Sequence, residues 1–137
     1  MQKSDLDQIT TEIDAAHARS KDAFRAKDID GYMSIFAPGL AYKQANGKVI
    51  TRSQLRNDVA SQLAAMHRME SSFIRDRIEC DGPNVVEHLT QSALLEINVF
   101  FFFKRKWRVQ RRGRYVWSNT DTGWAISSVE VLEEQIS

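Results

Sequence analysis

The fold class predicted for this chain is α+β, a few helices wrapped by a curved antiparallel sheet, and three observations predict it. Helical periodicity and capping signals are confined to the first half of the 137 residues. An Asn46-Gly47 hairpin signal interrupts them, and from Ser71 onward the chain reads as long strands separated by short turns. Helices first and a meander afterwards argue for antiparallel pairing, because parallel neighbours would need helices between the strands.

Ser4 with Asp7 three residues on resembles a capping box, and Leu6, Ile9, Ile13, Ala16 and Phe24 continue at roughly helical spacing, predicting a long amphipathic first helix. Asp28 can cap a short second helix with Ile29, Met33 and Phe36 inward, stopped by Pro38-Gly39. Leu40 to Gln44 alternates into Asn46-Gly47, which suits a two-residue type I′ turn before Val49 and Ile50. Thr51 with Gln54 forms another capping box, and Leu55, Val59, Leu63 and Met66 follow at steps of four, four and three, so a third helix is predicted over about Arg52 to Met69. Strands are predicted over Phe73 to Cys80, Val85 to Ile97, a long aromatic and basic stretch to Thr120, and Trp124 to Leu132. Asp81-Gly82-Pro83-Asn84 and Asp121-Thr122-Gly123 are the turns between them.

The length fits one domain over 1–137, able to bury a core without a disulfide or metal staple. A hydrophobic fraction of 42% and a charged fraction of 27% are those of an ordinary globular chain. Nineteen Lys plus Arg against eighteen Asp plus Glu leave a net charge of +1, so no global field draws it to nucleic acid or membrane. Cys80 is the single cysteine, which fits a reducing compartment. The polar N-terminus carries no signal-peptide pattern and the apolar run Val99 to Phe103 is too short to span a bilayer, so a cytoplasmic location is expected.

Ala26-Lys27-Asp28-Ile29-Asp30-Gly31, leading through Ile35-Phe36-Ala37 into a strand, and Arg112-Gly113-Arg114-Tyr115-Val116-Trp117, followed by Gly123-Trp124-Ala125-Ile126, carry a family resemblance. Together with the element order they resemble the nuclear transport factor 2-like superfamily, in its SnoaL-like and ketosteroid-isomerase-like branch, over nearly the whole chain. The resemblance implies a cystatin-like cone, three N-terminal helices packed into a strongly curved antiparallel sheet around an internal pocket, usually in a homodimer. It also puts Gln44 at the position of the isomerase's catalytic base, Ser20 at the oxyanion-binding tyrosine and the region of Tyr115 at the oxyanion-binding acid. An amide does not accept a proton at neutral pH, so ketosteroid isomerisation is not expected.

Alternation puts Leu40, Tyr42 and Gln44 on one face of a strand, and His88, Thr90, Ser92 and Leu94 on one face of another. By the resemblance these are pocket faces, and polar groups on an inward face suggest aim at a ligand. Tyr42, Gln44, His88, Thr90, Tyr115 and Trp117 are therefore the candidate pocket residues, with His88 the best candidate for acid or base work. Asp76, Glu79 and Glu87 read as outward partners of nearby arginines. His17, His67 and His88 are scattered and no paired cysteines accompany them, so neither a metal nor a cofactor is called for.

Seven cations between Lys104 and Arg114 read as a solvated edge strand, with Lys104, Lys106, Arg108, Arg112 and Arg114 on one face and Trp107 and Val109 on the other. A bulge is expected between Lys104 and Gly113. The uninterrupted apolar run Val99 to Phe103 needs cover on both faces, and a second copy of the chain stacked on the sheet would supply it. The reading preferred is a binder of a small hydrophobic or aromatic molecule, or a cofactor-free enzyme, with a homodimer through the sheet. The alternative is a non-catalytic assembly module resembling the small subunit of ring-hydroxylating dioxygenases, on Asn98-Val99-Phe100, Arg105, Gly113-Arg114 and Gly123-Trp124. A basic-face binder of anions or nucleic acid ranks third.

Overall fold

The computed structural model describes residues 3–100 and 103–137, and the side chains of 5–97 and 105–137. Helix α1 (Lys3–Arg25) begins before Ser4, whose side chain falls outside that range. Past its end, Lys27 takes a positive φ of 58° while its ammonium donates to the Met66 carbonyl at 2.7 Å, a bond that helps hold a backbone region most side chains avoid. Asp28 then caps α2 (Ile29–Met33), accepting the Gly31 N–H at 3.0 Å. Gly31 is where α2 meets α1, since a Cβ there would lie 2.9 Å from the Cβ of Ala23.

Helix α3 (Arg52–Ala65) carries the capping box in both directions: the Gln54 N–H donates to Thr51 Oγ1 at 3.2 Å, and the Thr51 N–H donates to Gln54 Oε1 at 2.9 Å. Arg52 adds bonds to the Phe36 and Met33 carbonyls, fixing the start of α3 against the end of α2. The helix stops at Ala65 and not Met69. Met66 is already extended and opens β3, where pairing with the next strand replaces the helical bonds.

Strands β1 (Phe36–Lys43) and β2 (Val49–Thr51) form the hairpin, but its turn is not type I′. Among these residues only Gly47 has a positive φ, of 86°, and the Gly47 N–H closes a turn onto the Gln44 carbonyl at 2.9 Å. Asn46 serves through its side chain, which accepts the Lys48 N–H. The meander follows as β3 (Met66–Asp81), β4 (Asn84–Phe100), β5 (Phe103–Thr120) and β6 (Gly123–Ile136).

The six strands order as β2-β1-β6-β5-β4-β3. One pairing departs from the antiparallel pattern, because β1 lies parallel to β6. The α3 helix and the meander between them supply the long crossover that a parallel pair requires. The order also corrects the reading of the basic stretch as an edge strand, since β5 sits between β4 and β6 and the edges are β2 and β3.

The β4–β5 register runs unbroken from Val85 opposite Trp117 to Asn98 opposite Lys104. The shifts in the β5–β6 pairing, one at Arg112/Gly113 and one at Val116/Trp117, leave the extra residue on β6, and bulges of this kind bend a sheet. The bent sheet buries Val85, Leu89, Trp117, Ile126 and Val129 against Ile13, Met33 and Leu55 of the helices. The side chains of the Val99 to Phe103 run, on which the homodimer reading rests, lie outside the described residues.

Candidate functional site

Strand β4 offers two faces, one carrying Val85, Glu87, Leu89, Gln91, Ala93 and Leu95, the other Val86, His88, Thr90, Ser92 and Leu94. The first face turns toward the helices, because Glu87 is fully buried and bonded to His17 of α1. This corrects the sequence reading of His88 and Thr90 as pocket residues. They share the outer face, where Thr90 donates to Asp76 at 2.7 Å and His88 stands opposite Arg114 on β5 and Arg77 on β3. The physical reason is that the more apolar face goes inward even when it carries a carboxylate, provided that carboxylate is fully partnered.

Glu87, read from sequence as an outward partner of arginine, is the centre of a buried polar cluster. His17 Nε2 lies 2.9 Å from its Oε1, Trp117 Nε1 donates to Oε1 at 3.0 Å, and Arg75 donates to Oε2 from two nitrogens at 2.9 and 2.7 Å. Arg75 reaches on to Asp14 of α1. Burial by itself would raise the Glu87 carboxyl, but the His17 bond and charge, with the Arg75 and Trp117 bonds, outweigh it and hold the group below its ordinary value. The His17 ring stacks at a tilt on Phe73 at 4.8 Å and meets Trp117 edge-on at 5.2 Å. Trp117 is thus a core residue of this cluster and not a pocket wall. Tyr115 is also buried, its ring over Gly113 (where a Cβ would lie 3.0 Å away) and its hydroxyl donating to Gln91 at 3.1 Å.

Between the helices and the inner face of the sheet lies a cavity of about 950 Å³. Leu55 and Val59 of α3, Leu95 of β4, Trp107 and Val109 of β5 and Val131 of β6 make its walls apolar. Tyr42 and Gln44 line it as the alternation of β1 predicts, joined by Tyr32, Arg111 and Glu134. An adjoining chamber of about 190 Å³, sharing Phe24, Tyr32 and Met69 with the cavity, reaches His17 and Ser20.

The polar groups of the main cavity are arranged unlike those around Glu87. Arg111 Nε donates to Glu134 Oε2 at 2.7 Å, and a terminal nitrogen forms an ion pair with the same oxygen at 2.6 Å. The Tyr32 ring is held edge-on by Phe24 at 5.0 Å and Phe36 at 5.8 Å. Among the described residues neither the Tyr32 nor the Tyr42 hydroxyl has a hydrogen-bond partner within the protein. Both phenols are raised, first by burial; Tyr42 adds to the rise at Tyr32, while Arg111 opposes it at both. They remain hydroxyl donors throughout the neutral range.

Tyr32, Arg111, Glu134 and His17 were not among the candidate residues. Arg111 was findable, because it shares strand parity with Trp107, Val109 and Tyr115. Glu134 follows only from its pairing with Arg111 across β5 and β6, and Tyr32 only from the packing of α2. Among the described residues no group of three His, Cys, Asp or Glu is placed to hold a metal ion.

No protein-family model matches the sequence, and no curated protein does. Solved structures do. A protein from Kribbella flavida superposes with a TM-score of 0.79 at 16% identity, covering 95% of each chain. A Novosphingobium aromaticivorans protein provisionally assigned as a scytalone dehydratase superposes with a TM-score of 0.78 at 8% identity, over 96% of this chain and 90% of its own. A nuclear transport factor 2-like superfamily protein from Salmonella enterica gives 0.71 at 16% identity, over 92% and 91%. With helices packed into a bent six-stranded sheet around a cavity, and with these neighbours, the chain has the nuclear transport factor 2-like fold.

Proposed function

We propose that this protein is a cytoplasmic binder of a small, mostly hydrophobic or aromatic molecule, held in the cavity between α3 and the inner face of the sheet. The observation that carries the reading is the cavity itself, about 950 Å³ walled by aliphatic and aromatic side chains with a few polar groups. An assembly module of this fold has no need of such a space and would gain stability by filling it. The basic face is smaller than its seven cations suggest, because Arg111 turns into the cavity and Arg112 is met by Glu133 of β6. A homodimer through the sheet remains part of the proposal, on the strength of the Val99 to Phe103 run.

A thermal-shift screen against aromatic ketones, phenols and small hydrophobic acids tests the binding, since a ligand that binds only the folded state raises its melting temperature. The same hits should fail with Leu95→Trp, which fills the cavity from its wall. Hits that shift both proteins equally would place the binding elsewhere and sink the proposal.

A second reading, cofactor-free catalysis, is favoured by one specific observation: His17 lines the adjoining chamber while Glu87 holds its Nε2. A histidine oriented by a buried carboxylate is placed as a proton-transfer group is in general acid–base catalysis. If any hit is turned over, His17→Asn should abolish turnover and leave binding within about threefold; turnover that survives the change would exclude the role.

A further inference from the structure

The wall of the main cavity carries three donors that the protein itself leaves unspent. The hydroxyls of Tyr32 and Tyr42 have no partner among the described residues, and Arg111 directs Nε and one terminal nitrogen to Glu134, leaving the other terminal nitrogen without a partner among those residues. Donors inside a protein are ordinarily paired, so a group of them on the wall of an otherwise apolar cavity is a place for an acceptor brought by a ligand. Their positions are set by the protein before any ligand arrives: Phe24 and Phe36 hold the Tyr32 ring, β1 carries Tyr42, and Glu134 fixes Arg111. That pre-organisation removes much of the ordering cost of binding.

The charge balance selects the acceptor. Arg111 is neutralised by Glu134, so the cluster offers hydrogen bonds with little net positive charge, and a full anion would meet the Glu134 carboxylate as well as the guanidinium. We infer that Tyr32, Tyr42 and Arg111 form a subsite for an uncharged oxygen, a ketone or quinone carbonyl or a neutral phenol, on the edge of an apolar ring system lying against Leu95, Trp107 and Val109. Both tyrosines keep their protons well above neutral pH, as a donor pair for such an oxygen requires. The inference rests on the proposed binding function and adds the chemical class of the ligand.

Three rigid probes on one ring skeleton separate the two claims: fluorene, 9-fluorenone and fluorene-9-carboxylate, measured by equilibrium dialysis against the 137-residue protein. The expected result is binding of fluorene, roughly tenfold tighter binding of 9-fluorenone, and no gain for the carboxylate over the ketone. Tyr32→Phe and Tyr42→Phe should each cut the ketone preference by roughly threefold or more while fluorene affinity stays within about twofold. Fluorene and 9-fluorenone binding equally, or a preference that survives both substitutions, overturns the subsite and leaves the cavity reading intact. Tightest binding of the carboxylate overturns the choice of an uncharged oxygen. Binding of none of the three overturns the subsite together with the function it rests on.

Discussion

Glu87 and Arg111 both put a charge on the inner face of the sheet, in adjacent strands, and they are partnered in opposite ways. Glu87 is surrounded by His17, Arg75 and Trp117, and both of its oxygens are taken. Among the described residues Arg111 has one hydrogen-bond partner, Glu134, and shares the cavity wall with two tyrosine hydroxyls that bond none of them. The first cluster lies against the packed end of the cone, with Ile13, Leu89 and Trp117 fully buried; the second lines a cavity. Polarity on an inward face therefore does not by itself mark a binding site. What distinguishes the two is whether the donors and acceptors are already satisfied, because a satisfied cluster organises the core while an unsatisfied one awaits a ligand.

The comparison breaks first at Glu87. Glu87→Ala should cost roughly 3–5 kcal/mol in urea unfolding, because it removes the buried partner of Arg75 and leaves the Trp117 indole N–H without its acceptor. A loss below about 1 kcal/mol would show that the cluster does not anchor the core. Trp117→Phe comes next, with an expected cost of roughly 1–3 kcal/mol from lost volume and one lost donor.

Acid titration sharpens the same point. Since Glu87 is held below 4.5 in the folded protein, the unfolded chain takes up its proton more readily. Its contribution is therefore complete above pH 4.5 and falls away as the pH drops through the folded-state value. Glu87→Gln should flatten the stability loss of the wild type in that acid range, measured as urea midpoints against pH; an unchanged slope would contradict the assignment. The smallest effect belongs to the other cluster: Tyr42→Phe should change the stability of the empty protein by no more than about 0.5 kcal/mol, because its hydroxyl holds nothing in place. A larger loss would mean that Tyr42 has a structural partner.

Much of the local structure was legible in the residues. Thr51 with Gln54 and Asp28 announce helix starts that the chain honours, since a cap is a bond between neighbours in sequence. Tyr42 and Gln44 were legible as cavity residues from the alternation of β1. His88 and Thr90 were misplaced for an instructive reason. Alternation says which residues of β4 share a face, but not which face meets the helices, and taking the polar face as the pocket reversed the strand.

The sequence by itself determined what depends on near neighbours: the three helices and the caps of the second and third, the hairpin at Asn46-Gly47, the order of the long strands and the parity within each. Only the tertiary structure decided what depends on residues far apart in the chain. Seventy positions separate His17 from Glu87, and twenty-three separate Arg111 from Glu134. It also decided the parallel return of β1 alongside β6 and the place of β5 inside the sheet, both of which follow from how the whole meander closes. Caps and turns draw their energy from bonds a few residues long, so composition and spacing reveal them. The burial of a carboxylate, or the exposure of a hydroxyl to an empty cavity, is settled only when distant strands and helices supply or withhold its partners.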